Sequence, residues 1–275
     1  MELGNTEELF VRDDAAGRDY PIWVALPNDY DKDAERRYPV LYVTDALYSF
    51  PLVRSIRNMV GQRGVNIEDF ILVGLSPQSG LTSKQSRSRD YTPTQPAARG
   101  DSDDYSAEEY GGAAHYRDFL QAQVFPQVES RYRVDVSRRA FAGHSYGGLF
   151  GSYVLLTKPE MFQTYILSSP SLWFDGHAID KVEADYATNH DDLRAHVLFS
   201  TGQYETQGPE PRYFKNGDMV GDNRRLAEKL KARRYPGLKV ETSVLEGEDH
   251  FTIYPTVITR ALLKVFPGKG PYSSG

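Results

Sequence analysis

The chain has 275 residues, 40% hydrophobic and 25% charged, with a formal net charge of −6. That suits a globular domain with a sizeable core and gives no general attraction to nucleic acid or an anionic membrane. Cysteine is absent, which excludes disulfides, thiolate metal sites and a cysteine nucleophile.

No apolar run approaches a membrane span. Residues 1–5 lack the basic start and apolar core of a secretory signal, which fits a cytoplasmic protein or one from which a signal has been removed. Residues 8–12 and 20–26 read as paired strands around a polar loop, the second placing Ile22, Val24 and Leu26 on one face. The run P-V-L-Y-V-T at 39–44 suits a strand buried on both faces of a parallel sheet, followed by a helix at 50–59 and another buried strand at 70–75. Residues 76–112 are rich in Ser, Gly, Pro, Arg and Asp and mostly lack a hydrophobic period, which marks a lid or binding loop.

Helical spacing returns at 116–131, where Pro126 should kink or shorten the helix. Beyond it lie strands at 140–142, 165–168, 196–200 and 239–245. Helices are expected at 148–156, 178–187, 191–194, 223–234 and 254–266, with a frayed tail from 267 to 275. No repeat or linker divides residues 1–275. The alternation predicts a single α/β domain, doubly wound around a mostly parallel sheet with helices on both faces. Ligands bind such sheets beyond the carboxyl ends of the strands.

The organising stretch is R-A-F-A-G-H-S-Y-G-G-L-F-G at 139–151. An apolar strand, a G-x-S-x-G turn and a small-residue helix are the context of a nucleophile elbow, with Ser145 raised above the sheet. The alternative is a glycine-rich turn whose serine caps the helix. In an elbow the N–H of Tyr146 would face developing negative charge, paired with an N–H of Ala46 or Leu47 after the 39–44 strand.

A serine hydroxyl needs a base and an acid to orient that base, in the chain order serine, acid, histidine. Of six histidines, His250 alone follows the last strand and precedes the closing helix. His115, His177, His190 and His196 read as surface or satisfied residues, and His144 sits inside the elbow. Glu205, just past the 196–200 strand, is the favoured acid. The other carboxylates are Asp222, whose expected role is to cap the helix at 223, Asp218, and Asp249, which adjoins His250 too closely to reach its ring nitrogen. This chemistry requires no metal or cofactor. A histidine base also implies that activity falls below about pH 6.

The ordered segments L-P-N-D-Y (26–30), Y-P-V-L-Y-V-T-D (38–45), G-G-A-A-H-Y-R-D-F-L (111–120), R-Y-R-V-D (131–135), A-G-H-S-Y-G-G-L-F (142–150), S-P-S-L-W-F (169–174) and G-Q-Y-E (202–205) resemble the putative-esterase, or esterase D-like, family of α/β-hydrolases. Within it the chain is most similar to siderophore trilactone esterases. The resemblance implies the α/β-hydrolase fold, Ser145 as nucleophile, His250 as base and Glu205 as acid, although some trilactone esterases work with a Ser–His dyad. The family has Asp-Gly after the first buried strand where this chain has Asp45-Ala46, so the positive φ expected there is harder to hold.

R-S-R-D-Y-T-P at 87–93 resembles the family's R-x-x-D-x-T-P stretch. Lys84, Arg87 and Arg89 would give an anionic siderophore a cationic pocket, or else tie down the loop through Asp90. Trp173 and Phe174 would wall the pocket or pack in the core. The expected activity is that of a serine carboxylesterase on a small-molecule ester. The alternatives are an esterase or acyltransferase on short acyl, feruloyl or acetyl-carbohydrate esters, and a non-catalytic binding module.

Overall fold

In the computed structural model, which describes residues 4–96 and 109–270, eight strands form one sheet. They are β1 (Thr6–Asp13), β2 (Arg18–Ala25), β3 (Tyr38–Val43), β4 (Ile71–Leu75), β5 (Val134–His144), β6 (Thr164–Ser168), β7 (Ala195–Gly202) and β8 (Leu238–Leu245). Their order is β1-β2-β4-β3-β5-β6-β7-β8. β2 runs antiparallel to β1 and β4, and every pairing from β4 to β8 is parallel.

The parallel strands are apolar on both sides because both sides are covered. In β3, Val40 and Tyr42 enter one core cluster while Leu41 and Val43 enter the other. Helix α1 (Ala46–Met59) covers one face together with the closing helix at Ile253–Val265. The opposite face packs against α3 (Ala113–Phe119), α4 (Phe125–Arg131), α5 (Tyr146–Leu155), the single turn α6 (Phe174–His177), α7 (Ile179–Asn189) and α8 (Met219–Arg233), with α2 (Ser83–Asp90) lying against α3 and α5. The closing helix is α9. This is the doubly wound α/β-hydrolase fold.

Several local expectations change. The 116–131 helix starts at Ala113 and carries a π-helical segment, Leu120–Val124, before Pro126. The wider turn lets the chain restart as α4 with proline in its first turn, where no intrahelical N–H is needed. Residues 191–194 form no helix and lead straight into β7. The 76–112 segment contains α2, opened by a capping box between Thr82 and Gln85. Its polar helix escapes periodicity analysis because Ser86, Ser88, Arg89 and Asp90 are the residues it buries. Residues 97–108 of the expected lid lie outside the described residues, as do 271–275 of the expected tail. Residues 268–270 are tied by backbone hydrogen bonds to Asn66, Gly64 and Val65.

Candidate active site

The carboxyl ends of β3, β5, β7 and β8 converge at one rim of the sheet, and each delivers one part of the site. At the end of β5, Ser145 has φ 58° and ψ −120°, a left-sided backbone that costs a non-glycine residue about 1–3 kcal/mol. Surrounding hydrogen bonds hold it there. Its N–H donates to Ser168 O (3.0 Å), and its carbonyl accepts from Leu149 (2.9 Å) and Ser171 (3.2 Å).

The flanking glycines are required by close approach. A Cβ on Gly143 would stand 2.3 Å from the Gly147 carbonyl oxygen, and one on Gly147 would stand 2.2 Å from Thr44 Oγ1. Gly143→Ala must therefore part the strand from the helix it feeds. An expected loss of about 3 kcal/mol would appear as a lower urea midpoint. An unchanged midpoint would refute the tight turn.

Nδ1 of His250 donates to Glu205 Oε1 at 2.5 Å. Glu205 is fully buried, and its Oε2 accepts from Ser169 Oγ (2.5 Å) and the Gly202 N–H (2.6 Å). Both carboxylate oxygens are thus satisfied, which a buried charge demands. The Ser145 hydroxyl pairs with Ser171 Oγ at 3.3 Å. The His250 ring and Ser145 line the same two cavities.

The His144 ring packs against that of His250, with centroids 4.6 Å apart, and its Nδ1 lies 3.2 Å from Ser168 Oγ. Burial, reinforced by His250 and Arg87, pushes His144 down to about 3. It stays neutral while unfolded chains take up a proton near pH 6.5. Its contribution to stability is therefore complete above about pH 6.5 and is lost as the pH falls toward 3. The limiting slope is about 1.4 kcal/mol per pH unit, reduced to roughly 1 where the ring meets cavity water. Between about pH 6 and 4 the wild type should lose roughly 2 kcal/mol more than His144→Gln in urea titrations. Parallel losses would contradict a buried neutral ring.

Ala46 and Leu47 open α1, and Tyr146 opens α5. N–H groups at these positions have no acceptor within their helices, and the helix dipoles favour negative charge there. The positive φ falls on Asp45 (52°), not on Ala46, so Ala46 can replace the family's glycine.

The proposed substrate contacts divide. Arg87 and Trp173 line the space beside Ser145. Arg89 is buried instead, bonded to both Asp90 carboxylate oxygens and to the Tyr20 hydroxyl. It lines neither active-site cavity. Its assignment to substrate is corrected: it ties α2 to β2.

The remaining carboxylates are engaged elsewhere. Asp218, not Asp222, caps α8 by accepting from Gly221 N. Asp222 binds His177 and Arg225, and Asp249 binds Arg212. His115, His190 and His196 pair with Asp13, the Tyr186 carbonyl and Glu241 respectively.

Sequence reasoning gave no individual role to Ser169, which has φ 43°, or to Ser171. Their signal was position, since S-P-S directly follows the β6 carboxyl end. Among the described residues, no cluster of three or more His, Cys, Asp or Glu could hold a metal, and no helix is long and apolar enough to cross a membrane.

Two cavities, of about 510 and 520 Å³, meet at Ser145, His250 and Arg87. Leu47, Tyr48, Leu52 and Tyr254 wall the first. Lys84, Ser171, Trp173 and Phe214 line the second.

The family described as Putative esterase matches residues 14–263. The chain belongs to the putative-esterase family. This esterase is 29% identical over 279 residues to the ferri-bacillibactin esterase BesA of Bacillus subtilis, covering 99% of this chain and 93% of that one. It is 28% identical over 300 residues to the siderophore triacetylfusarinine C esterase of Aspergillus fumigatus, covering 100% and 98% of the two chains. Among solved structures, siderophore hydrolase EstB from Aspergillus nidulans superposes with a TM-score of 0.77 at 26% identity, covering 97% of both chains. With these relatives, the protein is a serine hydrolase acting on carboxylic esters through an acyl-enzyme.

Proposed function

We propose that the esterase hydrolyses a trilactone siderophore, using Ser145 as nucleophile, His250 as base and Glu205 to orient the imidazole. The observation that carries the residue assignment is the buried Glu205–His250 pair beside the elbow serine, at the rim of one sheet. In this mechanism Ser145 Oγ leaves Ser171 for His250 Nε2, gives up its proton and attacks the ester carbonyl. The N–H groups of Tyr146 and of Ala46 or Leu47 stabilise the oxyanion. His250 then protonates the departing alcohol, and water releases the acyl group by the reverse sequence.

The siderophore assignment rests on the relatives' substrates and on space for a large ester on both sides of Ser145. Lys84 and Arg87 line the second cavity, where the charge of Arg87 is already matched by the Asp45 carboxylate. A comparison of an iron-free and ferric catecholate trilactone with p-nitrophenyl butyrate and a feruloyl ester, with products followed by mass spectrometry, tests the substrate class. The trilactone should open to its linear trimer with kcat/KM about 100-fold above the simple esters. Efficient turnover of the simple esters with an inert trilactone would exclude this substrate.

A further inference from the structure

Asp45 occupies the N-cap position of α1 but makes no side-chain cap hydrogen bond. An aspartate there ordinarily turns its carboxylate onto the N–H of the second or third helical residue, here Leu47 or Tyr48. The Leu47 N–H is among the groups proposed to receive the oxyanion. Arg87 of α2 takes the carboxylate instead, donating from Nε to Oδ1 (2.9 Å) and from Nη2 to Oδ2 (3.4 Å). The pair is largely shielded, with side-chain exposures of 25% for Arg87 and 7% for Asp45. The Asp45 N–H is engaged from the same segment, donating to the Tyr91 hydroxyl at 3.4 Å. The Arg87 guanidinium also lies over the Tyr146 ring, 5.2 Å from its centroid, and so touches the residue that supplies the other donor.

We infer that Arg87 is a positioning residue that keeps the oxyanion hole open by holding the Asp45 carboxylate away from the Leu47 N–H. An unrestrained carboxylate beside a helix N-terminus is an internal anion competing for the site in which substrate charge develops. The fork geometry of arginine suits the task because two parallel N–H bonds fix both carboxylate oxygens at once. Substrate binding by Arg87 would be a different role, since it would act on anionic esters alone. The inference rests on the esterase mechanism proposed above.

The test uses the full-length enzyme and p-nitrophenyl acetate, a neutral ester with no charge for Arg87 to bind. Arg87→Gln should lower kcat about 10- to 100-fold, with KM changed less than about threefold. Adding Asp45→Gly, which removes the competing carboxylate and accepts the φ of 52°, should restore kcat to within about threefold of Asp45→Gly alone. A purely structural role would not give this rescue.

α2 keeps its other anchors in Arg87→Gln, namely the Thr82–Gln85 capping box and the Arg89–Asp90–Tyr20 network, and an unchanged Tm checks this. Unchanged kcat in Arg87→Gln, or additive losses in the double variant, would overturn the inference. Wild-type turnover that persists in Ser145→Ala would instead overturn the mechanism on which it rests, so the two failures are distinct.

Discussion

Ser145→Ala should lower kcat for any ester substrate by about 10⁴-fold or more, with the fold intact. The hydroxyl removed is the group proposed to form the acyl-enzyme, and Ser171 Oγ cannot replace it. That hydroxyl stems from the buried turn after β6 rather than from the elbow, and in the variant it loses its 3.3 Å partner. Alanine meets the same strained backbone as serine at φ 58°, so stability should change by less than about 1 kcal/mol. The variant should also lose covalent labelling by a fluorophosphonate. Residual turnover would reflect the oxyanion donors alone. A variant retaining wild-type kcat would end the assignment of Ser145 as nucleophile.

Glu205→Gln should cost about 10³- to 10⁴-fold in kcat while preserving size and packing. The reason lies in the fixed donors around Oε2. The Gly202 N–H at 2.6 Å is backbone and cannot turn away, and Ser169 donates alongside it. The glutamine carbonyl oxygen must stay on that side, which points its NH2 at His250 Nδ1. Nδ1 then accepts instead of donating, and the proton moves to Nε2, where the base must be free to receive one from Ser145. Glu205→Asp retains the charge but shortens the reach, and it should fall between wild type and glutamine. A loss of less than about tenfold in Glu205→Gln would show that a Ser–His dyad suffices and that the 2.5 Å Glu205–His250 contact serves mainly the fold. Measuring kcat and Tm on the same samples separates these outcomes.

Features written in covalent order were open to sequence reasoning. The G-x-S-x-G turn, the apolar runs of β3 to β7 and the placement of His250 between β8 and α9 are local patterns. Turn geometry, two-sided burial and chain order constrain them directly. Glu205 could be favoured for the same reason, since it lies three residues beyond the β7 carboxyl end at Gly202. The start of α8 was misplaced because Asp218 and Asp222 both suit a cap, and only the hydrogen bond from Gly221 distinguishes them.

What the sequence alone determined was the order of the strands and the elbow, and it nominated Ser145, Glu205 and His250 for the chemistry, because each is set by neighbours along the chain. Tertiary structure decided how those groups are held. Ser169 restrains Glu205 from the β6 turn, His144 packs on His250, and Arg89 is buried against Tyr20 while Arg87 grips Asp45 across 42 positions. A hydrogen bond between residues so far apart leaves no periodicity or spacing in the primary chain. Its partner is selected only when the sheet has assembled and desolvation requires each buried charge to find one.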